Sequence, residues 1–302
     1  MPVQKQNSFN QVENLYQEIT NKIIASLEEG SLPWVKGWEC QGLATPQNPA
    51  TGNNYNGMNI LLLWMEQMAN DYPTSRWMTF KQARELGANV IKGEKGTKIL
   101  FAKPVKFKTE MENLANGGKL EEVERSYMAT KTFTVFNIQQ IEGLPEEISK
   151  VAEVININED KRNNLLESFI ENIGAEVRHG GDNAFFNGTD DFVRMPNFEQ
   201  FKSSSNYYAT TFHELTHWTG HKTRLNRVKG KTFGDEKYAF EELIAELGSA
   251  FLCAEKGVQV EMRHEAYIQS WLKALKNDPK FIVQAASKAS QAVTFLNEKS
   301  PT

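Results

Sequence analysis

The spacing of apolar residues along the first half of the chain predicts helices followed by a pair of strands. Apolar side chains recur every three or four positions over residues 9–27, which indicates a helix ending before Gly30. The elements predicted after it are helices at 58–68 and 79–86 and strands at 97–105 and 127–136. A mobile hairpin loop is expected between the strands, at about 109–126, where Gly, Asn and Glu are frequent.

The second half is predicted to be mainly helical around a short sheet. Helices are expected at about 160–172, 203–219, 235–256, 260–276 and 280–297, and strands at 176–179, 184–186 and 192–195. The Gly-Leu-Pro-Glu-Glu segment at 143–147 is the best linker between the halves. We therefore expect an α+β protein of two domains, residues 1–148 and 149–302, each folding around its own core.

Composition is that of a globular protein without a membrane anchor. Of the 302 residues, 40% are hydrophobic and 24% charged, and the net charge of −4 does not by itself indicate a nucleic-acid partner. No run of about 18 apolar residues occurs, and the first apolar positions follow a helix face rather than a signal segment. Cys40 and Cys253 are expected as free buried thiols in a cytoplasmic protein.

The strongest chemical signal is the segment Thr-Phe-His-Glu-Leu-Thr-His-Trp-Thr-Gly at 211–220. His213 and His217 are four residues apart, so on a helix both imidazoles project from one face and can reach one Zn²⁺. Glu214 lies between them, where a carboxylate can accept a proton from water and serve as the catalytic base. We expect one zinc ion per chain, with another divalent ion such as Mn²⁺ as the alternative.

A third protein ligand is needed, because catalytic zinc sites usually combine three protein ligands with a water. A metzincin would place a histidine at position 223, which is Thr. Glutamates on the apolar helix that follows are the better source, since an unpaired buried carboxylate is costly. We predict Glu242 as the ligand and Glu246 as the residue that orients a histidine, with Glu241 as the next choice and His221 less favoured.

The combination of His213, His217 and Glu242 resembles gluzincin-type peptidases. In that class the segment corresponding to residues 191–196 lines the substrate cleft, which implies that an extended peptide pairs with it by β-addition. Tyr207, His221 and Tyr238 stay open as groups that could stabilise an oxyanion.

The first half carries basic and aromatic residues instead of catalytic motifs. Between residues 76 and 108 there are nine basic side chains and two acidic ones, and four of the six tryptophans precede residue 80. Cations that neutralise phosphates and aromatic rings that stack on bases are what single-stranded nucleic acid requires. The predicted binding residues are Trp34, Trp38, Tyr55, Arg76, Trp77, Lys81, Arg84, Lys92, Lys95 and Lys98.

Several motifs together resemble the ArdC family of antirestriction proteins. They are Pro-Trp-x3-Trp at 33–38, the Asn- and Gly-rich segment at 48–59, Trp-Met-Thr-Phe-Lys-Gln-Ala-Arg at 77–84, Lys-Gly-Glu-Lys-Gly at 92–96, Val-Phe-Asn at 135–137 and the histidine motif. The resemblance implies a domain that binds single-stranded DNA followed by a zincin domain. It also implies that the protein protects incoming plasmid or mobile-element DNA from host restriction.

Two other functions compete with a DNA-binding zinc peptidase. One is a purely DNA-binding protector whose metal is structural or vestigial, which leaves Glu214 without a purpose. The other is a metal-dependent nuclease, although nucleases usually gather more carboxylates around paired metals. If the peptidase contributes to protection, its substrate is expected to be a protein of the host restriction system.

Overall fold

The computed structural model describes residues 3–29, 34, 44–113, 119–149, 161–227, 236–259 and 265–301.

In the first half the three predicted helices are present, and three short strands are added to the predicted pair of strands. The elements are α1 (Val3–Glu28), α2 (Met58–Ala69), β1 (Trp77–Thr79), α3 (Phe80–Glu85), β2 (Asn89–Val90), β3 (Thr97–Asn113), β4 (Lys119–Asn137), β5 (Ile141–Glu142) and α4 (Glu146–Ser149). Helix α4 occupies part of the predicted linker.

The second half is helical around a three-stranded sheet, as predicted. Its elements are α5 (Asn164–Ile173), β6 (Glu176–His179), β7 (Phe185–Asn187), β8 (Phe192–Met195), α6 (Ser204–Thr219), α7 (Glu236–Lys256), α8 (Glu265–Asn277) and α9 (Phe281–Lys299). Strand β8 is central, parallel to β6 and antiparallel to β7. None of the helices described has the length and apolar character needed to cross a membrane.

A long antiparallel ribbon replaces the predicted loop at about 109–126. Strands β3 and β4 pair continuously from Thr97 opposite Val135 to Asn113 opposite Lys119. Only residues 114–118 of the predicted loop lie outside the described part of the chain. The loop prediction was wrong because these strand ends carry few apolar residues, and their ladder hydrogen bonds do not depend on an apolar face.

One large core joins the two halves of the chain. The buried face of α1, formed by Leu15, Ile19, Ile23 and Leu27, belongs to the same hydrophobic cluster as α6, α7, α8 and α9. Trp34 packs edge-on against Trp271, with ring centroids 5.9 Å apart. Trp64 of α2 packs edge-on against Phe251, with ring centroids 5.8 Å apart. Two smaller clusters lie wholly within the first half. The expectation of separate cores is therefore wrong for α1 and α2. Apolar periodicity shows that one face of a helix is buried, but it does not show which other elements that face packs against.

Candidate metal centre

Two buried helices, α6 and α7, bring the metal-binding side chains together. Ser203 caps the start of α6, its hydroxyl accepting from the backbone N–H of Asn206, and Gly220 ends the helix, as the sequence predicts. Helix α7 crosses α6 at Gly248, where a Cβ atom would lie 2.6 Å from Cγ2 of Thr216. A glycine at this point lets the helices approach closely enough for their polar side chains to meet.

The predicted ligands converge as a triad. One ligand atom from each of His213, His217 and Glu242 lies within 4.8 Å of the others, and all three side chains are buried. The carboxylate of Glu242 faces Nε2 of both histidines, at 3.6 Å from His213 and 3.5 Å from His217. Ligands bound at about 2.0–2.2 Å in tetrahedral geometry stand roughly 3.3–3.6 Å apart, so the two distances from Glu242 match a bound divalent ion, and two imidazoles with one carboxylate are a donor set that such an ion accepts.

The other ring nitrogen of each histidine faces a second carboxylate. Oε1 of Glu246 lies 3.8 Å from Nδ1 of His213, and Oε1 of Glu241 lies 3.4 Å from Nδ1 of His217. Glu246 therefore stands beside a histidine, as we predicted. Glu241, which we kept as the next choice of ligand, lies instead on the side of His217 that faces away from Glu242. Carboxylates in this position hold the ring orientation of metal-binding histidines.

Arg227 completes the surroundings of Glu241 and was missed in the sequence. Its side chain is only 5% exposed. Its guanidinium donates to Oε1 of Glu241 at 2.8 Å, to Oγ1 of Thr219 at 2.7 Å and to the carbonyl of Thr216 at 2.6 Å. Arg227 thus ties the segment after α6 to both helices. The only feature of the sequence that pointed to such a residue was chemical, because several carboxylates on an apolar helix require a nearby cation. Spacing along the chain does not show which Lys or Arg supplies that charge.

The charge of the site favours a cation. Four buried carboxyl groups, those of Glu214, Glu241, Glu242 and Glu246, surround the two histidines. Burial raises the pKa of Glu242, but contacts with His213 and His217 outweigh burial and hold that pKa well below its usual range. Burial lowers the pKa of His217, whereas contacts with Glu241 and Glu242 raise it to about 9. A bound metal ion would supply the positive charge that otherwise comes from a protonated histidine beside Glu242.

Glu214 lies on α6 between the two histidines and is 7% exposed. Its assignment as base stays a prediction, supported by this position. Of the three oxyanion residues considered, the hydroxyl of Tyr207 contacts Nε2 of His179 at 2.9 Å, and His221 contacts Oγ1 of Thr223 at 2.8 Å. His221 is not part of the ligand triad. Tyr238 is half-buried on α7, one turn before Glu242.

Strand β8 cannot receive a peptide as the sequence suggested. The segment 191–196 contains β8, and both of its edges are already paired, with β6 on one side and β7 on the other. β-Addition needs a free strand edge, so this expectation was wrong. The pattern of residues predicted the strand, but the strand order depends on contacts between distant segments.

The residues predicted to bind DNA do not form one exposed face. Trp34 is 1% exposed and Trp77 is fully buried, so neither ring face is open to a base and their assignment to stacking was wrong. The hydroxyl of half-buried Tyr55 donates to the carbonyl of Trp77 at 3.0 Å, and Arg76 donates to the carbonyl of Ile148 at 2.8 Å. Trp38 lies outside the described residues. The exposed members of the set are Lys81, Arg84, Lys92, Lys95 and Lys98.

Comparison with known families agrees with this architecture. Residues 13–136 match the N-terminal domain of anti-restriction factor ArdC, and residues 164–288 match a zincin-like metallopeptidase. Fold and site thus define a zincin-like metallopeptidase domain that follows an ArdC-type N-terminal domain.

Solved structures and curated relatives narrow the assignment. The chain is 38% identical to the antirestriction ArdC protein from plasmid R388, whose metal-free structure gives a TM-score of 0.77 over 94% of this chain and 97% of that one. The Mn(II)-bound structure of the R388 protein gives 0.76 at 37% identity, over 95% and 98% of the two chains. This chain belongs to the ArdC family of antirestriction proteins.

Of two further relatives, one is similar in length to this chain and the other is much longer. An uncharacterized protein, y4eC, from Sinorhizobium fredii is 36% identical over 94% of this chain and 92% of its own. DNA primase TraC from Escherichia coli is 38% identical over 93% of this chain. The chain spans only 27% of the length of that primase.

Proposed function

We propose that this protein shields incoming plasmid or mobile-element DNA from host restriction in the cytoplasm by binding single-stranded DNA, and that its second half is a zinc-dependent peptidase. The enzymatic part rests on one observation, the convergence within 4.8 Å of Glu242 from α7 with His213 and His217 from α6, the helix that also carries Glu214. Membership of the ArdC family supports the protective part, and the exposed basic residues of the first half support DNA binding.

His213, His217 and Glu242 would hold the ion through two imidazole nitrogens and one carboxylate oxygen. That donor set suits Zn²⁺, and the Mn(II)-bound structure of the R388 relative supports Mn²⁺ as the alternative. When bound, the metal supplies Lewis acidity that makes water a nucleophile at neutral pH. Glu241 and Glu246 keep the two imidazole rings in place through their Nδ1 sides.

Glu214 is the proton carrier of the proposed reaction. Its carboxylate takes a proton from the water whose oxygen bonds to the peptide carbonyl carbon. The same proton then passes to the amide nitrogen as the C–N bond breaks, so no other reactant is needed. The buried surroundings of Glu214 restrict competing access of bulk water.

The test of this chemistry is Glu214→Gln, which preserves shape but cannot accept a proton. We expect the variant to bind one zinc per chain and single-stranded DNA like the wild type. Peptide-bond hydrolysis, measured on native and denatured protein substrates with and without single-stranded DNA, should fall at least 100-fold. Equal hydrolysis by the variant would remove Glu214 from the reaction, and loss of zinc would make it a ligand.

Protection by DNA binding without proteolysis is the second function that we consider, because the exposed lysines and arginine at 81–98 lie outside the metal-binding helices α6 and α7. Survival of conjugated DNA in a restricting host distinguishes protection by DNA binding from protection that requires proteolysis. We expect protection to survive in Glu214→Gln, since coating can hide DNA from a nuclease. If protection disappears with Glu214 alone, proteolysis is required and a protein of the host restriction system becomes the substrate to identify.

A further inference from the structure

The ribbon formed by β3 and β4 leaves the core with aromatic side chains on its surface. At its base, Ile99 and Val135 are buried in a cluster with Leu63 and Trp77. Side chains alternate along a strand, so Phe101 and Phe133 lie on the same face as these residues, farther along the ribbon. Yet Phe101 is 53% exposed and Phe133 44% exposed.

The exposed rings form a group rather than isolated positions. Phe101 and Phe133 contact each other edge to face, with centroids 5.8 Å apart and ring planes at 87°. Phe107 continues the same alternation along β3 and is 43% exposed. Single exposed apolar residues are ordinary, but several on one face indicate a binding surface.

Cations alternate with these rings on the same face. Lys131 is directly opposite Phe101, and Lys103 is the next residue of this face along β3. Both lysines are exposed. The positions that share this face over 99–107 and 129–133 include no Asp or Glu: they are Ile99, Phe101, Lys103, Val105, Phe107, Ala129, Lys131 and Phe133.

Rings interleaved with cations suit a single strand of nucleic acid. A base of a single strand is free to stack on an exposed ring while its phosphate approaches a lysine, and stacking on aromatic side chains tolerates any sequence. In a duplex the bases are already stacked on one another, so the rings would find only the sugar-phosphate backbone and base edges.

We infer that the face of the β3–β4 ribbon that carries Phe101, Lys103, Lys131 and Phe133 is the surface that binds single-stranded DNA. The inference rests on the proposed DNA-binding function and locates it. It places the stacking surface on phenylalanines of the ribbon rather than on the buried tryptophans Trp34 and Trp77.

The test is fluorescence anisotropy of a labelled oligo(dT) strand titrated with the full chain. Phe101→Leu/Phe133→Leu keeps apolar side chains on the strands but removes the rings, and we expect its Kd to rise about tenfold per ring. Phe101→Trp should retain binding, since an indole also stacks. Phe185→Leu, at a position equally exposed in the second half (44%), is the matched control and should bind like the wild type.

Substitution of Lys103 and Lys131 provides a second, independent test of the proposed surface. Lys103→Gln/Lys131→Gln should lower the slope of log K against log salt by about 0.7 for each lysine, as expected for contacts with single-strand phosphates. Lys273→Gln, on an exposed position of α8, is the control for charge alone. Circular dichroism and thermal melting of every variant verify that the fold is intact.

The possible outcomes test the proposed binding surface separately from the proposed DNA-binding function. A wild type that does not bind the strand contradicts the proposed function and the location with it. If the wild type binds and both ribbon variants bind equally well with an unchanged salt slope, the location is wrong while the function stands. A loss in Phe80→Leu, whose ring is 54% exposed on α3, without a loss in the ribbon variants would place the strand at α3 instead.

Discussion

The carboxylate of Glu241 is buried and depends on Arg227 for a compensating charge. Arg227→Met removes that charge while keeping an apolar stem, and it leaves a buried carboxylate with one partner fewer. We expect the free energy of unfolding of the metal-free protein to fall by about 3–5 kcal/mol, measured by urea denaturation. Zinc affinity, measured by competition with a chelator, should fall about 10–100-fold because Glu241 no longer holds His217.

The matched control is the double variant Arg227→Met/Glu241→Gln, in which the uncompensated charge is gone. This variant should recover much of the lost stability but not the lost zinc affinity. An Arg227→Met protein with wild-type stability and affinity would contradict the positioning role of Arg227.

Among individual residues, the sequence predicted those that helical spacing places on the same face. His213 and His217 share a face because they are four residues apart, and Glu242 was the favoured carboxylate because it shares a face with Glu246 on an apolar helix. Spacing within α7 did not fix how that helix is rotated against α6, so the position of Glu241 could not be predicted. Arg227 follows α6 in a segment without regular spacing, and its contacts arise only in the folded chain.

The contact between helices α6 and α7 at Gly248 controls how the ligands meet. Gly248→Ala places a Cβ against the side chain of Thr216, so the helices must separate. Alanine is about 1 kcal/mol more favourable than glycine inside a helix. We nevertheless expect a net loss of about 1–3 kcal/mol in the free energy of unfolding, because overpacking at a helix contact outweighs propensity.

Thr216→Ala removes the two atoms nearest to the new Cβ and provides the control. Combined with Gly248→Ala, it should restore part of the stability and of the zinc affinity, measured by thermal unfolding with and without zinc. A stabilised Gly248→Ala single variant would show that the close approach of the helices is not needed.

Elements with strong periodicity were predictable, and those with weak periodicity were not. Helix α6 and strand β8 were predicted to within one residue of their observed ends, since each combines a regular pattern with clear end signals. The outer ends of β3 and β4, residues 109–113 and 119–126, carry few apolar residues, so little apolar alternation marks their pairing. The strand order of the second sheet is a property of the whole fold and has no local signal.

The two halves of the chain share one large hydrophobic core. From the sequence we expected residues 1–148 to fold alone, but α1 and Trp34 belong to the cluster built by the second half. We now expect this fragment to show less helix by circular dichroism than its share of the intact protein, and to bind a hydrophobic dye. A fragment that melts cooperatively with full helix content would contradict this expectation.

The central claim is that His213, His217 and Glu242 hold one divalent metal ion per chain beside Glu214. The most direct measurement is the metal content of the purified protein, loaded with zinc and analysed by native mass spectrometry. We predict one zinc in the wild type and in Glu214→Gln, and none in His213→Ala, His217→Ala or Glu242→Ala. Full zinc occupancy in a folded Glu242→Ala protein, or a wild type without bound metal, would contradict the account.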